Sequence, residues 1–174
     1  MDKTLVLGGA RSGKSAHAEG LLSGPSVYLA TARRVPGDTE WDARIATHIA
    51  RRPKTWLTVE APDTDTVVAA LAAPELPVLL DDVATWLTGV LDDAGAWESA
   101  DLDRPRAEAM RLVAAVRACP APVVLVSAEV GLGVVPGTRS GRLFRDELGA
   151  VNASLAEVCS DVLLLVAGLP LRLK

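Results

Sequence analysis

Three features of the sequence predict an α/β fold with a mostly parallel sheet. Short aliphatic runs at residues 4–7, 27–30, 78–81 and 123–127 alternate with segments of helical character, the order expected when helices cross over between parallel strands. The runs are apolar at consecutive positions rather than at every second one, as strands covered on both faces require. Between the first run and the first helical segment stands Gly8-Gly9-Ala10-Arg11-Ser12-Gly13-Lys14-Ser15, the pattern G-x-x-x-x-G-K-[ST]. In such a loop the glycines let successive backbone N–H groups turn inward on a polyphosphate. Lys14 then reaches the terminal phosphates, and the Ser15 hydroxyl is placed to hold Mg²⁺.

The fold expected from this loop in its strand-then-helix setting is a three-layer, P-loop NTPase-like α/β domain. At 174 residues the chain suits one domain, residues 1–174, burying roughly 70 % of its unfolded surface. Hydrophobic residues make up 49 % but aromatic ones only 3 %, so the core is built from Leu, Val and Ala and offers no stacking platform for bases. A net charge of −4 speaks against a nucleic-acid groove, which needs a basic surface, so a polyphosphate must be held locally. Cys119 and Cys159 lack C-x-x-C spacing and give neither a disulfide framework nor a zinc site. Met1-Asp2-Lys3 leads into a strand, not a signal segment, and the longest apolar run, 162–171, is about half of a membrane span. A cytoplasmic protein without a membrane span is expected.

In order, residues 4–7 form a buried strand and 15–22 the helix that faces the phosphates, ended by Gly24-Pro25. Residues 27–30 form the next strand. Thr31, Ala32, Arg33 and Arg34 follow at its C-terminal end, where open α/β sheets bind ligands, and read either as a nucleotide contact or as a solvated basic loop. Asp38 or Thr39 caps a helix from 40 to about 52, closed by Pro53. Trp41, Ile45 and Ile49 form its inward stripe, beside a second stripe of Arg44, His48, Arg51 and Arg52. Three guanidiniums around one imidazole disfavour its protonated form, leaving a neutral ring suited to attack on a phosphate. The same stripe also reads as a solvated surface with an incidental histidine.

Residues 55–60 are strand-like, and Pro62-Asp63 opens a helix to Ala73. Val78-Leu79-Leu80-Asp81 has the form of a Walker B strand, whose closing carboxylate assists Mg²⁺; alternatively Asp81 or Asp82 caps the helix that follows, 83–91. A polar connection, 92–104, precedes the helix 105–118, and residues 123–127 are a buried strand. Residues 128–136 form a long loop with Gly131 and Gly133, either closely packed or a lid. Thr138 caps the helix 140–159, and residues 161–166 and 169–173 close the sheet as a hairpin about Gly168.

The ordered set of segments resembles the bifunctional adenosylcobinamide kinase/adenosylcobinamide-phosphate guanylyltransferase family of cobalamin biosynthesis over nearly the whole chain. The resemblance rests on the Gly8 to Ser15 loop, on Tyr28-Leu29-Ala30-Thr31-Ala32, on Arg44-Ile45 with His48, Arg52-Pro53 and Trp56, and on Leu80-Asp81 with Trp86-Leu87-Thr88. It extends through Glu129-Val130-Gly131-Leu132-Gly133, Val135-Pro136, Phe144-Arg145-Asp146, Val151-Asn152 and Ala167-Gly168-Leu169-Pro170. It implies phosphorylation of adenosylcobinamide by ATP or GTP, then transfer of GMP from GTP to give adenosylcobinamide-GDP, in a homotrimer. The family's guanylylated histidine falls on His48. Its nucleotide contacts fall on Gly8, Gly9, Ala10, Arg11, Ser12, Gly13, Lys14 and Ser15, on Thr31, Ala32 and Arg33, on Ile49, Ala50, Arg51 and Arg52, and on Glu60 and Asp81. Lys14 and His48 are the expected catalytic residues, and Ser15 and Asp81 the expected Mg²⁺ residues.

Two positions depart from the family: Gly89 stands where it often carries Asn, and Ala128 where it usually carries Asn before the Glu. A P-loop small-molecule kinase with a structural His48 is the alternative enzyme, which a covalent GMP adduct would separate from the bifunctional one. A GTP-dependent switch is disfavoured because such proteins read guanine through Asn-Lys-x-Asp, and Asn152 is followed here by Ala153.

Overall fold

The computed structural model describes residues 2–33, 37, 39, 43, 46, 49, 52–99 and 101–174. Its strands are β1 (Lys3–Gly8), β2 (Val27–Ala30), β3 (Leu57–Glu60), β4 (Val78–Asp81), β5 (Val123–Ala128), β6 (Asp161–Val166) and β7 (Leu169–Arg172). They form one sheet in the order β3-β2-β4-β5-β1-β6-β7. Every pairing is parallel except β6 with β7, the hairpin expected about Gly168. Ala167 and Gly168 turn it with φ of 51° and 81°, left-handed values that suit a two-residue turn.

The helices among the described residues are α1 (Lys14–Gly20), α2 (Thr64–Ala72), α3 (Val83–Asp93), α4 (Asp103–Ala118) and α5 (Arg139–Val158). Thr39, Ala43, Ala46 and Ile49 are also helical, within the segment where the Arg/His stripe was expected. Side-chain alternation along each strand divides the interior in two. Leu5, Leu29, Val78, Leu80 and Leu125 join residues of α2, α3, α4 and α5 on one face. Val6, Tyr28, Leu79, Val124 and Val126 join Ala18 of α1 on the other. The sheet between these two helical layers is the three-layer arrangement that the sequence predicted. Each fully buried leucine contributes on the order of 2 kcal/mol of apolar transfer.

Local chemistry sets the element ends. Asp63, Asp82 and Thr138 cap α2, α3 and α5, accepting from the N–H groups of Thr66, Thr85 and Gly141. Several boundaries differ from the periodicity reading. α1 stops at Gly20 rather than Leu22, and β3 begins at Leu57 because Trp56 N–H closes a turn on the Pro53 carbonyl. α3 runs on to Asp93, and α4 starts at Asp103, two residues before its proline, which the first turn tolerates. At the sheet's other end the buried Lys3 Nζ donates to the carbonyls of Cys119 and Ala121, both at 2.8 Å, so its charge is hydrogen-bonded.

Candidate active site

The Gly8 to Ser15 loop leaves β1 at the C-terminal edge of the sheet and enters α1. Two of its residues take left-handed backbone, Arg11 at φ 55° and Gly13 at φ 88°, which curls the chain around a concave turn closed by Ser12 N–H on the Gly9 carbonyl. Any side chain at Gly13 would be strained at that φ, and a Cβ at Gly8 would lie 2.3 Å from Ser12 Oγ. Ser12 Oγ is buried without a hydrogen-bond partner, the state of a donor left for a ligand inside a phosphate cradle. Lys14 Nζ reaches back over the loop to the Gly9 carbonyl at 3.4 Å. From the far side, Gly168 N–H donates to the Ser12 carbonyl, so the β6–β7 turn braces the loop.

Asp81 ends β4. Strand alternation turns its side chain to the face of α1, while Asp82, just past the strand, caps α3, which resolves the two sequence alternatives: Asp82 is the cap, and Asp81 meets the P-loop. Ser15 Oγ donates to Asp81 Oδ1 at 3.3 Å across β5, which lies between β1 and β4. Tyr28 Oη donates to Asp81 Oδ2 at 2.7 Å. Burial first, then the Asp81 charge, raises the Tyr28 pKa far above the usual phenol value, so it remains a donor. Among the described residues no group of three or more His, Cys, Asp or Glu could hold a metal by itself. One hydroxyl and one carboxylate at this spacing fit Mg²⁺, which takes few protein ligands and completes its shell with water and phosphate oxygens.

The remaining expected contacts are spread along the same edge. Thr31 is buried, and its hydroxyl is committed to the backbone of Asp82, donating to the carbonyl at 2.8 Å and accepting from the N–H at 3.0 Å. Ala32 is half-buried, and Glu60 ends β3 at the register position of Ala30, which also pairs with Asp81. Ile49 is exposed. Arg52 lies with Cζ 3.2 Å above the Tyr28 ring centroid and donates to Thr58 Oγ1 at 3.1 Å. His48, Ala50 and Arg51 lie outside the described residues, as do Arg44, Trp41 and Ile45.

Arg33 has partners within the protein. Its guanidinium forms a bidentate pair with Asp93 at 2.7 and 2.6 Å and donates through Nε to the Pro62 carbonyl at 3.1 Å. That pair holds the Asp93 carboxyl below the usual carboxylate range. The space it occupies exists because residue 89 is glycine: a Cβ there would lie 2.9 Å from Arg33 Cζ and Nε. The unusual Gly89 is thus explained by packing. At the second departure, the Ala128 carbonyl accepts from Asn152 Nδ2 at 3.0 Å, and Asn152 Oδ1 accepts from Ser127 Oγ at 2.6 Å. The 129–136 loop is tied to α5, with Arg145 donating to the Gly131 carbonyl and Arg142 to those of Pro136 and Gly137. Sequence reasoning missed Tyr28 and Asp93; only the strand register and helix packing bring them to their partners.

A family described as cobinamide kinase / cobinamide phosphate guanyltransferase matches residues 4–173. The chain belongs to this family. The bifunctional adenosylcobalamin biosynthesis protein CobU of Escherichia coli (strain K12) is 42 % identical over 180 residues, covering 98 % of each chain. The CobU of Salmonella typhimurium is also 42 % identical with the same coverage. The bifunctional adenosylcobalamin biosynthesis protein CobP of Pseudomonas aeruginosa is 41 % identical over 99 % of this chain and 97 % of its own. Among solved structures, the KaiC-like protein PH0186 from Pyrococcus horikoshii OT3 is 11 % identical, covers 94 % of this chain and 70 % of its own, and gives a TM-score of 0.49. The P4 protein from bacteriophage phi6, in complex with ADP, is 14 % identical over 97 % of this chain and 52 % of its own, with a TM-score of 0.48.

Proposed function

We propose that the chain catalyses two successive transfers. In the first, the aminopropanol hydroxyl of adenosylcobinamide attacks the γ-phosphorus of ATP or GTP, loses its proton, and displaces the nucleoside diphosphate. In the second, a His48 ring nitrogen attacks the α-phosphorus of GTP and displaces pyrophosphate; the corrinoid phosphate then attacks the same phosphorus, frees His48 and yields adenosylcobinamide-GDP. The match of residues 4–173 to a family described by both activities carries this reading. The pairing of Ser15 with Asp81 at the mouth of the P-loop supports it.

In this reading the loop from Gly8 to Ser15 cradles the phosphates, and Lys14 offsets charge that accumulates on the β,γ-oxygens as the phosphoryl group leaves. Ser15 and Asp81 hold Mg²⁺, which when bound neutralises phosphate charge and orients the reacting group. Ile49, Ala50, Arg51, Arg52 and Glu60 serve as the further nucleotide contacts that the family resemblance implies. Thr31 to Arg33 serve through their backbone, since the Thr31 hydroxyl and Arg33 guanidinium have internal partners. The assembly is a cytoplasmic homotrimer; exposed Leu132, Val134 and Val135, with Val166, Leu169 and Leu171 on the terminal hairpin, supply its apolar contacts. Among the described residues no helix is long and apolar enough to cross a membrane.

The decisive experiment labels the protein with α-labelled GTP in the absence of corrinoid. A phosphoramidate label, labile in acid and persistent in alkali, is expected on wild type and on His17→Ala, and is expected to be lost in His48→Ala. Cobinamide phosphorylation should survive in His48→Ala. Wild type that forms adenosylcobinamide-GDP without ever taking up label would exclude the covalent route.

A further inference from the structure

Tyr28 sits between Asp81 and Arg52. Its side chain is 2 % exposed, packed in the second core with Ala18 and Leu79, and its open face is covered by the Arg52 guanidinium at 3.2 Å. A ring held on both sides leaves its hydroxyl one place to go, and that place is Asp81 Oδ2 at 2.7 Å. The other carboxylate oxygen faces Ser15 Oγ. The last torsion of an aspartate is broad and two-fold, so its rotation is set by the groups that bond its oxygens. We propose that Tyr28 is a positioning residue for phosphoryl transfer, its hydroxyl fixing the Asp81 carboxylate so that one oxygen stays turned toward Ser15 and the metal position. The inference rests on the reading of Asp81 as the metal-side carboxylate given above.

The test is Tyr28→Phe, which keeps the ring, its core packing and the Arg52 contact and removes only the hydroxyl. Binding of Mn²⁺ to the protein–ATP complex, followed by electron paramagnetic resonance, is expected to weaken roughly tenfold, the scale of one lost charge-assisted hydrogen bond. The metal concentration for half-maximal kinase activity should rise by the same factor, while kcat at saturating metal stays within about threefold. A role confined to stability would lower the melting temperature and leave Mn²⁺ binding untouched. Asp81→Asn separates this inference from its premise. If Asp81→Asn loses Mn²⁺ affinity and Tyr28→Phe keeps it, the positioning role is refuted and the metal reading stands. If neither substitution changes Mn²⁺ binding, the metal reading fails and takes this inference with it.

Discussion

Placing a methyl group at Gly89 asks whether Arg33 lies on α3 because glycine leaves it room. The three atoms nearest the added Cβ all belong to the Arg33 guanidinium, at 2.9, 2.9 and 3.0 Å. They are the end of a flexible side chain, so in Gly89→Ala the guanidinium should swing out, breaking its bonds to Asp93 and to the Pro62 carbonyl. The side chains of the pair are 35 % and 45 % exposed, which limits its worth to about 1 kcal/mol or less. Alanine in a helix interior gains about 1 kcal/mol over glycine, so Gly89→Ala should change stability by under about 1 kcal/mol in either direction. The informative quantity is the coupling. Asp93→Asn should cost up to about 1 kcal/mol in wild type and close to nothing in the Gly89→Ala background, measured by urea unfolding of the four proteins at low salt. The Asp93 carboxyl is held below its ordinary range by Arg33, so its contribution is present above the unfolded carboxylate pKa and lost as pH falls through the folded one. The coupling should therefore begin to fade below about pH 4 and vanish only once the pH has fallen past the lowered folded value. An unchanged cost of Asp93→Asn in the alanine background, or a loss above about 2 kcal/mol from Gly89→Ala alone, would refute the packing argument.

Three further outcomes are expected. Lys14→Ala should lower the kinase rate a hundredfold or more, about 3 kcal/mol in the barrier, and retention within tenfold of wild type would remove Lys14 from that role. Cys159, whose thiol burial pushes up to about 11, and Cys119, buried at the C-terminal end of α4, should resist alkylation at about pH 8 in the folded protein and react in denaturant; prompt native labelling would contradict their placement. Sedimentation at micromolar concentration should give a trimer, and a stable species of 18.2 kDa would reject the assembly.

Much of this fold is legible in one dimension because its signals are local. Uninterrupted aliphatic runs gave β1, β2, β4 and β5 to within a residue or two, and a residue able to cap stands at the start of α2, α3 and α5. The P-loop, with its glycines at the turns, was readable as a motif. His48 and the arginine stripe are expected from helical spacing and family resemblance alone, since His48, Arg44 and Arg51 lie outside the described residues.

What the sequence could not supply were the pairings between distant segments. Asp81 and Asp82 are chemically identical and adjacent, and only their places at the strand's end and at the helix's start send one to the P-loop and the other to cap α3. Strand order is similarly silent in a list of apolar runs, yet it places β5 between the P-loop strand and β4 and sets the reach from Ser15 to Asp81. Tyr28 read as one more strand residue until the register brought its hydroxyl to Asp81. Gly89 read as a missing asparagine until the packing of β2's exit against α3 filled the space with Arg33. By itself the sequence determined the local elements and the phosphate-binding loop, because periodicity and turn chemistry act within a few residues. The tertiary structure alone decided which side chains share the site, because those contacts join residues tens of positions apart through the order and pleat of one sheet.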